Sequence, residues 1–288
     1  MTGVKVKVRR ARTLKQSNTD MNAPLNRSST APSRRHQAGH ILTGTLPAAD
    51  GKAPSSTPVA QALWPEPVPD YLHDNYWWAY EHPRGVQFFD REWMVNAILF
   101  GNMAKLRDLA LAEFDNKLEG RTLQVAAVYG DFTPKLVECI QPGGSLDVID
   151  VLPVQLANTR RKLPKHAPVT LHQRNSTDLR FDDRTFDQVI VFFLMHEQPD
   201  AVRYETLGEA VRVLKPGGKL VMVDYHRPHR WNPMRYLFEP ILDWLEPFAV
   251  DLWYQKLSAW LPRDRKLVQL NHHTVFGGLY QKTAFRLE

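Results

Sequence analysis

Apolar residues recur at helical spacing between Asp90 and Phe114, at Met94, Ile98, Leu99, Leu106 and Leu109, and the spacing predicts one helix that stops before Gly120. From Thr122 the pattern changes to short apolar runs separated by amphipathic segments. Leu123–Val128, Leu146–Val151, Val169–Arg174, Phe186–Leu194 and Lys219–Asp224 read as strands. Thr133–Ile140, Pro153–Leu163 and Pro199–Leu214 read as the helices between them, the last ended by Lys215-Pro216-Gly217-Gly218. Such alternation predicts βαβ units and a parallel sheet covered on both faces, with every strand ending on one ligand-binding edge. Two alternating runs around Gly277-Gly278 predict a closing β-hairpin, Val268–Phe276 with Leu279–Leu287.

The ends of the pattern carry different chemistry. Residues 1–60 are rich in Ser, Thr, Pro, Ala and Arg and lack apolar periodicity, which predicts a disordered basic segment. An organellar transit peptide and a solvated bacterial tail both fit it, and Met21 offers an alternative start. Residues 61–120 read as an aromatic helical cover, with Tyr76-Trp77-Trp78-Ala79-Tyr80 at its centre, and residues 121–288 as the main domain. Within that domain, 229–265 form an inserted aromatic stretch holding Trp231, Trp244, Trp253 and Trp260, which reads either as core packing or as a lid.

Charge narrows the partners. The formal net charge is +6, but positions 1–60 hold ten Lys or Arg against two Asp, leaving 27 basic and 29 acidic residues beyond them. That near-neutral remainder argues against a nucleic-acid surface. No apolar run approaches the roughly 18 residues of a membrane span. A single cysteine, Cys139, excludes an internal disulfide framework and suits a reducing compartment.

The candidate chemistry centres on strand one, its turn and the next strand's last acid. The run Leu123-Gln124-Val125-Ala126-Ala127-Val128-Tyr129-Gly130-Asp131 leads into a helix, and Asp150 follows at the end of strand two. An acid there accepts hydrogen bonds from ribose hydroxyls, although it could also be a simple strand-end cap, and Gly130 lets a ligand approach the backbone. These residues, Asn175-Ser176-Thr177-Asp178 before Thr185-Phe186-Asp187, and Arg212-Val213-Leu214-Lys215-Pro216-Gly217-Gly218 resemble class I S-adenosylmethionine (SAM) dependent methyltransferases over about 120–288.

The resemblance implies a Rossmann-like α/β fold, a mostly parallel seven-stranded sheet with a C-terminal antiparallel hairpin and extra aromatic helices. It implies SAM contacts from Gln124, Ala126, Tyr129, Gly130, Asp150, Val151, Asn175, Ser176 and Thr177. The family loop is acid-x-Gly-x-Gly-x-Gly, and Gln124, Ala126 and Val128 replace its acid and first two glycines.

Four segments, Tyr76–Tyr80, Val128–Thr133, Met195-His196-Glu197-Gln198-Pro199 and Val223-Asp224-Tyr225-His226-Arg227-Pro228, look like the rhodoquinone-biosynthesis (RquA) family over about 67–288. That resemblance implies conversion of ubiquinone to rhodoquinone, an amino group from SAM replacing a ring methoxy group with Mn²⁺ assisting. It implies peripheral placement on the cytoplasmic face of a bacterial inner membrane, or on the mitochondrial matrix side if the first segment is a transit peptide. Such chemistry needs a base and a Lewis acid near the ring. Asp131, His196, Asp224 and His226 stand as catalytic candidates, and His196, Glu197 and Asp131 as metal candidates, since oxygen and imidazole suit manganese. An ordinary quinone C-methyltransferase and a non-catalytic SAM-fold scaffold remain as alternatives.

Overall fold

The computed structural model describes residues 67–80, 83–246 and 248–288. The expectations for residues 1–60 lie outside the described residues. Four helices lead in: α1 (Asp70–Tyr80), α2 (Pro83–Phe89), α3 (Glu92–Ile98) and α4 (Met103–Ala112). The single helix expected over Asp90–Phe114 is therefore two. The break has a local cause. Gly101 sits at φ 73° and its N–H reaches back to the Asn96 carbonyl at 2.7 Å, a left-handed helix stop. The Asn102 side chain then donates to the Leu99 and Phe100 carbonyls at 3.0 and 2.9 Å.

The main domain follows the expected alternation: β1 (Arg121–Val125), α5 (Phe132–Cys139), β2 (Ser145–Asp150), α6 (Pro153–Lys162), β3 (Val169–Gln173), β4 (Phe186–Phe192), α7 (Asp200–Arg212) and β5 (Leu214–Tyr225). A 3-10 turn, Met195–Glu197, lies between β4 and α7. The cover segment supplies α8 (Met234–Leu245), α9 (Asp251–Tyr254) and a 3-10 turn, Leu257–Trp260. The hairpin β6 (Leu267–Val275) and β7 (Tyr280–Leu287) closes the chain. The sheet order is β3-β2-β1-β4-β5-β7-β6. Strands β1 to β5 pair in parallel, and β7 runs antiparallel between β5 and β6. This is the seven-stranded Rossmann-like sheet that the sequence predicts. Strand order reverses between β1 and β4, so a crevice opens where both strands end.

The Lys-Pro-Gly-Gly turn is part of β5 rather than ahead of it. Phe186 pairs with Leu214 and Gln188 with Lys219, so the turn bulges from an otherwise continuous strand. The core explains why the central strands are apolar throughout. Val189–Phe192 of β4 and Leu220–Val223 of β5 are buried, and Phe132 of α5 stacks on Phe192 with centroids 4.0 Å apart. Burying each such side chain contributes about 1.5–3 kcal/mol. The aromatic stretch is divided: Trp253 and Trp260 are core, whereas Trp231, Tyr236, Leu237 and Tyr254 are exposed.

Candidate functional site

Strand β1 ends three residues earlier than its apolar run suggests, because Ala126 turns to φ 71°. This is left-handed backbone that glycine adopts freely and alanine does not. The buried Gln124 side chain secures the turn. Its Nε2 donates to the Ala126 carbonyl at 2.9 Å, and its Oε1 accepts from the Thr133 hydroxyl at 3.0 Å. Both ends of the amide are thus spent on the loop itself. Gln124 does not line the cavity described below, so its expected ligand contact is replaced by a structural one. Ala126→Gly is expected to stabilise the fold by about 0.5–1 kcal/mol, the relief of left-handed strain exceeding glycine's extra chain entropy. Thermal unfolding checks this, and an unchanged or lowered midpoint would refute the strain.

The rest of the loop is pinned by side chains. Lys162 Nζ donates to Asp90 Oδ1 at 2.6 Å, to the Gly130 carbonyl at 2.8 Å and to the Val128 carbonyl at 3.3 Å. The Gly130 N–H, in turn, donates to Asp90 Oδ1 at 3.0 Å. Burial lowers the Lys162 pKa, and the Asp90 pairing opposes that shift. Tyr129 accepts a hydrogen bond from Gln155 Nε2 at 2.8 Å and stacks on Phe89. A loop short of two family glycines is therefore held by Gln124, Asp90 and Lys162, residues that the sequence pattern does not reveal as partners.

A cavity opens where β1, β2 and β4 end. The loop residues 126–129 form one wall, and Asp150, Val151, Asn175 and Ser176 another. Asp150 Oδ2 accepts the Ala127 N–H at 2.9 Å and Oδ1 the Leu152 N–H at 2.8 Å. Full burial raises this carboxyl to about 6, against the pull of those N–H groups. Each carboxylate oxygen has a second lone pair, so two further donors can be accepted. Asn175 Oδ1 receives the Thr177 N–H at 3.1 Å, and Ser176 Oγ contacts Thr206 and Gln198. Thr177 itself does not line the cavity.

The far end is polar and acidic. Asp224, wholly buried at the end of β5, accepts the Met195 N–H at 2.8 Å and the His196 N–H at 3.3 Å through Oδ2. Its Oδ1 stands 3.0 Å from His196 Nδ1. Burial disfavours the imidazolium, yet Asp224 overcomes that, and the pKa of His196 is raised to about 9 with help from Glu246 and Glu197. At neutral pH the ring therefore carries both protons. His196 Nε2 lies 3.7 Å from Glu197 Oε1. Glu246, just past α8, lines the same end, and burial raises its pKa while His196 pulls it down. Tyr71 and Tyr76 of α1, Phe89 of α2, Val95 and Leu99 of α3 and Met103 close the cavity with apolar surface. Burial pushes the Tyr71 hydroxyl up to about 12, so it stays protonated.

The structure thus joins Ala126, Tyr129, Asp150, Val151, Asn175, Ser176, His196 and Glu197 around one cavity, with Asp224 directly behind His196. Gly130 does not line it: its N–H is held by Asp90 and its carbonyl by Lys162, so its expected ligand contact is replaced by a structural one. Two catalytic candidates fall elsewhere. Asp131 lies outside the lining and pairs with Arg107 of α4. His226 is tied to the closing hairpin, its Nδ1 2.8 Å from the Gly278 carbonyl and its N–H on the Leu279 carbonyl, because β5 ends at Tyr225 and the chain turns away. The proposed manganese ligands are accordingly split, Asp131 on one side and His196 with Glu197 on the other. Among the described residues no three His, Cys, Asp or Glu gather where a metal ion could sit. The residues present do not fit that ion. They do fit an adenosyl ligand, since a buried acid with free lone pairs faces an apolar cleft on the strand-end edge. Tyr71, Tyr76, Gln155, Gln198 and Glu246 were not among the sequence candidates.

A sequence model of the ubiE/COQ5 methyltransferase family matches residues 89–253. The demethylmenaquinone methyltransferase of Bacillus licheniformis is 28% identical over 139 residues, 48% of this chain and 59% of that protein. The ubiquinone/menaquinone biosynthesis C-methyltransferase UbiE of Pasteurella multocida is 33% identical over 111 residues, 38% of this chain and 41% of its own length. The chain spans about half the length of the curated relatives it matches. Among solved structures, a possible exported protein from Bordetella parapertussis aligns with TM-score 0.50 at 19% identity, covering 64% of this chain and 66% of that one, a likeness of fold.

Proposed function

Because the chain belongs to the ubiE/COQ5 methyltransferase family, we propose that it is a SAM-dependent transferase that methylates a ring carbon of a quinone precursor. The observation that carries this reading is a single cavity with Asp150 at one end and the His196–Asp224 pair at the other. SAM, when bound, supplies an electrophilic methyl group. Asp150 accepts the ribose hydroxyls, and Asn175 and Ser176 border the base. Phe192, Phe193, Leu99 and Met103 exclude water from the ring. With Asp224 fixing the imidazole from Nδ1, His196 Nε2–H would donate to a ring oxygen and stabilise the negative charge that makes the neighbouring carbon nucleophilic; the sulfur leaves as a neutral thioether, and the ring proton that the methyl replaces is released to water.

One observation favours a second reading, replacement of a ring methoxy group by an amino group to give rhodoquinone. A His196 held protonated at neutral pH can hand its proton to a departing methoxide. The four segments that resemble the rhodoquinone-biosynthesis family include both His196 and Asp224. The loop substitutions Ala126 and Val128 also support a SAM pose unlike the methyltransferase one. A lipid-borne substrate supports a peripheral position on a membrane surface. Exposed Trp231, Tyr236 and Leu237 beside Arg230 and Arg235 suit an anionic interface. Among the described residues no helix is long and apolar enough to cross one.

One experiment decides. The full chain is incubated with methyl-labelled SAM and ubiquinone or its demethylated, reduced precursor in anionic vesicles, and the lipids are extracted. Label on a ring carbon is the expected product. An unlabelled aminated ring would replace methylation by the second reading, and no modified ring with no SAM binding would remove both. Chain left in the supernatant when the vesicles are pelleted would remove the membrane placement.

A further inference from the structure

Arg203 is among the most deeply buried residues of the fold, with none of its side chain exposed, and the cavity does not include it. It lies on α7, the helix that follows the His196 turn. Its guanidinium bonds in two directions that matter. Nε donates to the Met195 carbonyl at 2.8 Å, the first residue of the 3-10 turn that carries His196. Nη2 donates to the Phe248 carbonyl, and Nη1 reaches Asp251 Oδ2 at 3.3 Å, in the cover just before α9 and at its first residue. The guanidinium carbon also stands 4.8 Å from the Trp260 ring centre, and Trp260 Nε1 donates to Asp200 Oδ1 at 2.6 Å. Only a planar fork can satisfy a carbonyl on one side and a carbonyl and a carboxylate on the other, which an ammonium cannot copy.

The His196 turn needs such a brace. It is three residues long, and Leu194, at its N-cap, has no side-chain acceptor to cap it. Asp224 holds it from the sheet through the Met195 and His196 N–H groups, and Arg203 holds it from the opposite side through the Met195 carbonyl. We propose that Arg203 is a positioning residue that couples the cover to the His196–Asp224 pair, so that the imidazole is aligned with Asp224 only while the 248–260 segment is docked. The catalytic consequence rests on the transferase reading above; the alignment itself does not.

The test uses the full chain and variants Arg203→Lys and Asp251→Ala. The second removes the carboxylate arm to the cover and leaves the Met195 and Phe248 bonds in place. The His196 ring protons are titrated by NMR, which needs neither SAM nor substrate. The titratable groups facing this ring are Asp224 and Tyr225 of β5, Glu197 of its own turn and Glu246 past α8. In both variants the midpoint is expected to fall by about half a unit or more, because a misaligned ring loses Asp224. Turnover is expected to fall by about tenfold or more, while SAM affinity and the ring substrate's KM change by less than about threefold. A purely structural Arg203 would lower the unfolding temperature and leave the midpoint of the folded protein unmoved, and that result overturns the proposal. Should Arg203→Lys fail to fold, Asp251→Ala alone decides by the same midpoint. A shifted midpoint in a chain without transferase activity would keep the coupling and discard the function.

Discussion

His196→Gln is expected to lower turnover by about 100- to 10,000-fold, the usual range for a positioned proton-transfer group, while SAM affinity stays within about threefold of the parent. Glutamine keeps a donor near the Nε2 position but carries no charge and cannot exchange a proton. The charge is what the site is built to hold. Burial alone would drive His196 neutral, and Asp224, with Glu246 and Glu197, reverses that and raises the pKa to about 9. The acidic end of the cavity therefore keeps a proton ready at Nε2 throughout the neutral range. Turnover is expected to be flat from neutral pH upward and to fall as pH rises through about 9, when the imidazolium is lost. A rate that instead climbs through that value would make His196 a base and exclude the donor role.

The same shift predicts a stability effect with a definite sign. A folded pKa above the unfolded one contributes stability that is complete below the unfolded value of about 6.5 and disappears as pH rises through the folded value. The deficit of His196→Gln in urea unfolding should thus be full at pH 6, shrink between about 6.5 and 9, and lose its charge-linked part above about 9. A deficit independent of pH would mean that packing against Phe193 and Tyr225, not charge, is what the ring supplies.

The difference between what the sequence disclosed and what it hid follows from the range of the interactions. Strand and helix alternation is a local signal, and the sheet, its closing hairpin and the acid at the end of β2 were all legible from it. Asp150 and His196 were found because each sits at a strand end in a motif of fixed order. Asp131 and His226 sit at equally suggestive positions, yet one turns out to Arg107 and the other is drawn onto the Gly278 carbonyl. No one-dimensional pattern reports which way a residue leaves a strand end. The loop shows the same limit. The sequence shows two family glycines replaced, but not that Gln124, Asp90 and Lys162, separated by up to 72 positions, rebuild the turn from side chains. Arg203 and Glu246 gave no signal at all, since a charged residue on an ordinary helix or beside an aromatic run reads as solvated until burial is known.

Asp150→Asn is expected to weaken SAM binding by about 100-fold or more at pH 7.5, the equivalent of two charge-assisted hydrogen bonds. Asparagine is nearly the same shape, so packing at the end of β2 is preserved. Its amide nitrogen is a donor, however, and faces donors wherever it points: the Ala127 and Leu152 N–H groups on one side and the ribose hydroxyls on the other. Asp150→Ala adds a structural penalty, because both N–H groups are left buried without an acceptor at about 1–3 kcal/mol each. The pH dependence separates binding from structure. Burial raises the Asp150 carboxyl to about 6 in the free protein, so below that pH it is protonated and has lost acceptor capacity. Ribose donors favour the carboxylate, so SAM affinity should be level above about 6 and fall as the pH drops below it, by about tenfold per unit. Calorimetry in two buffers of different ionisation enthalpy would register the proton released on binding near pH 6. Level affinity from pH 5 to 8, or an Asp150→Asn variant that binds SAM within about threefold of the parent, would show that this acid only ties the β1 loop to α6 and that the nucleoside is held elsewhere.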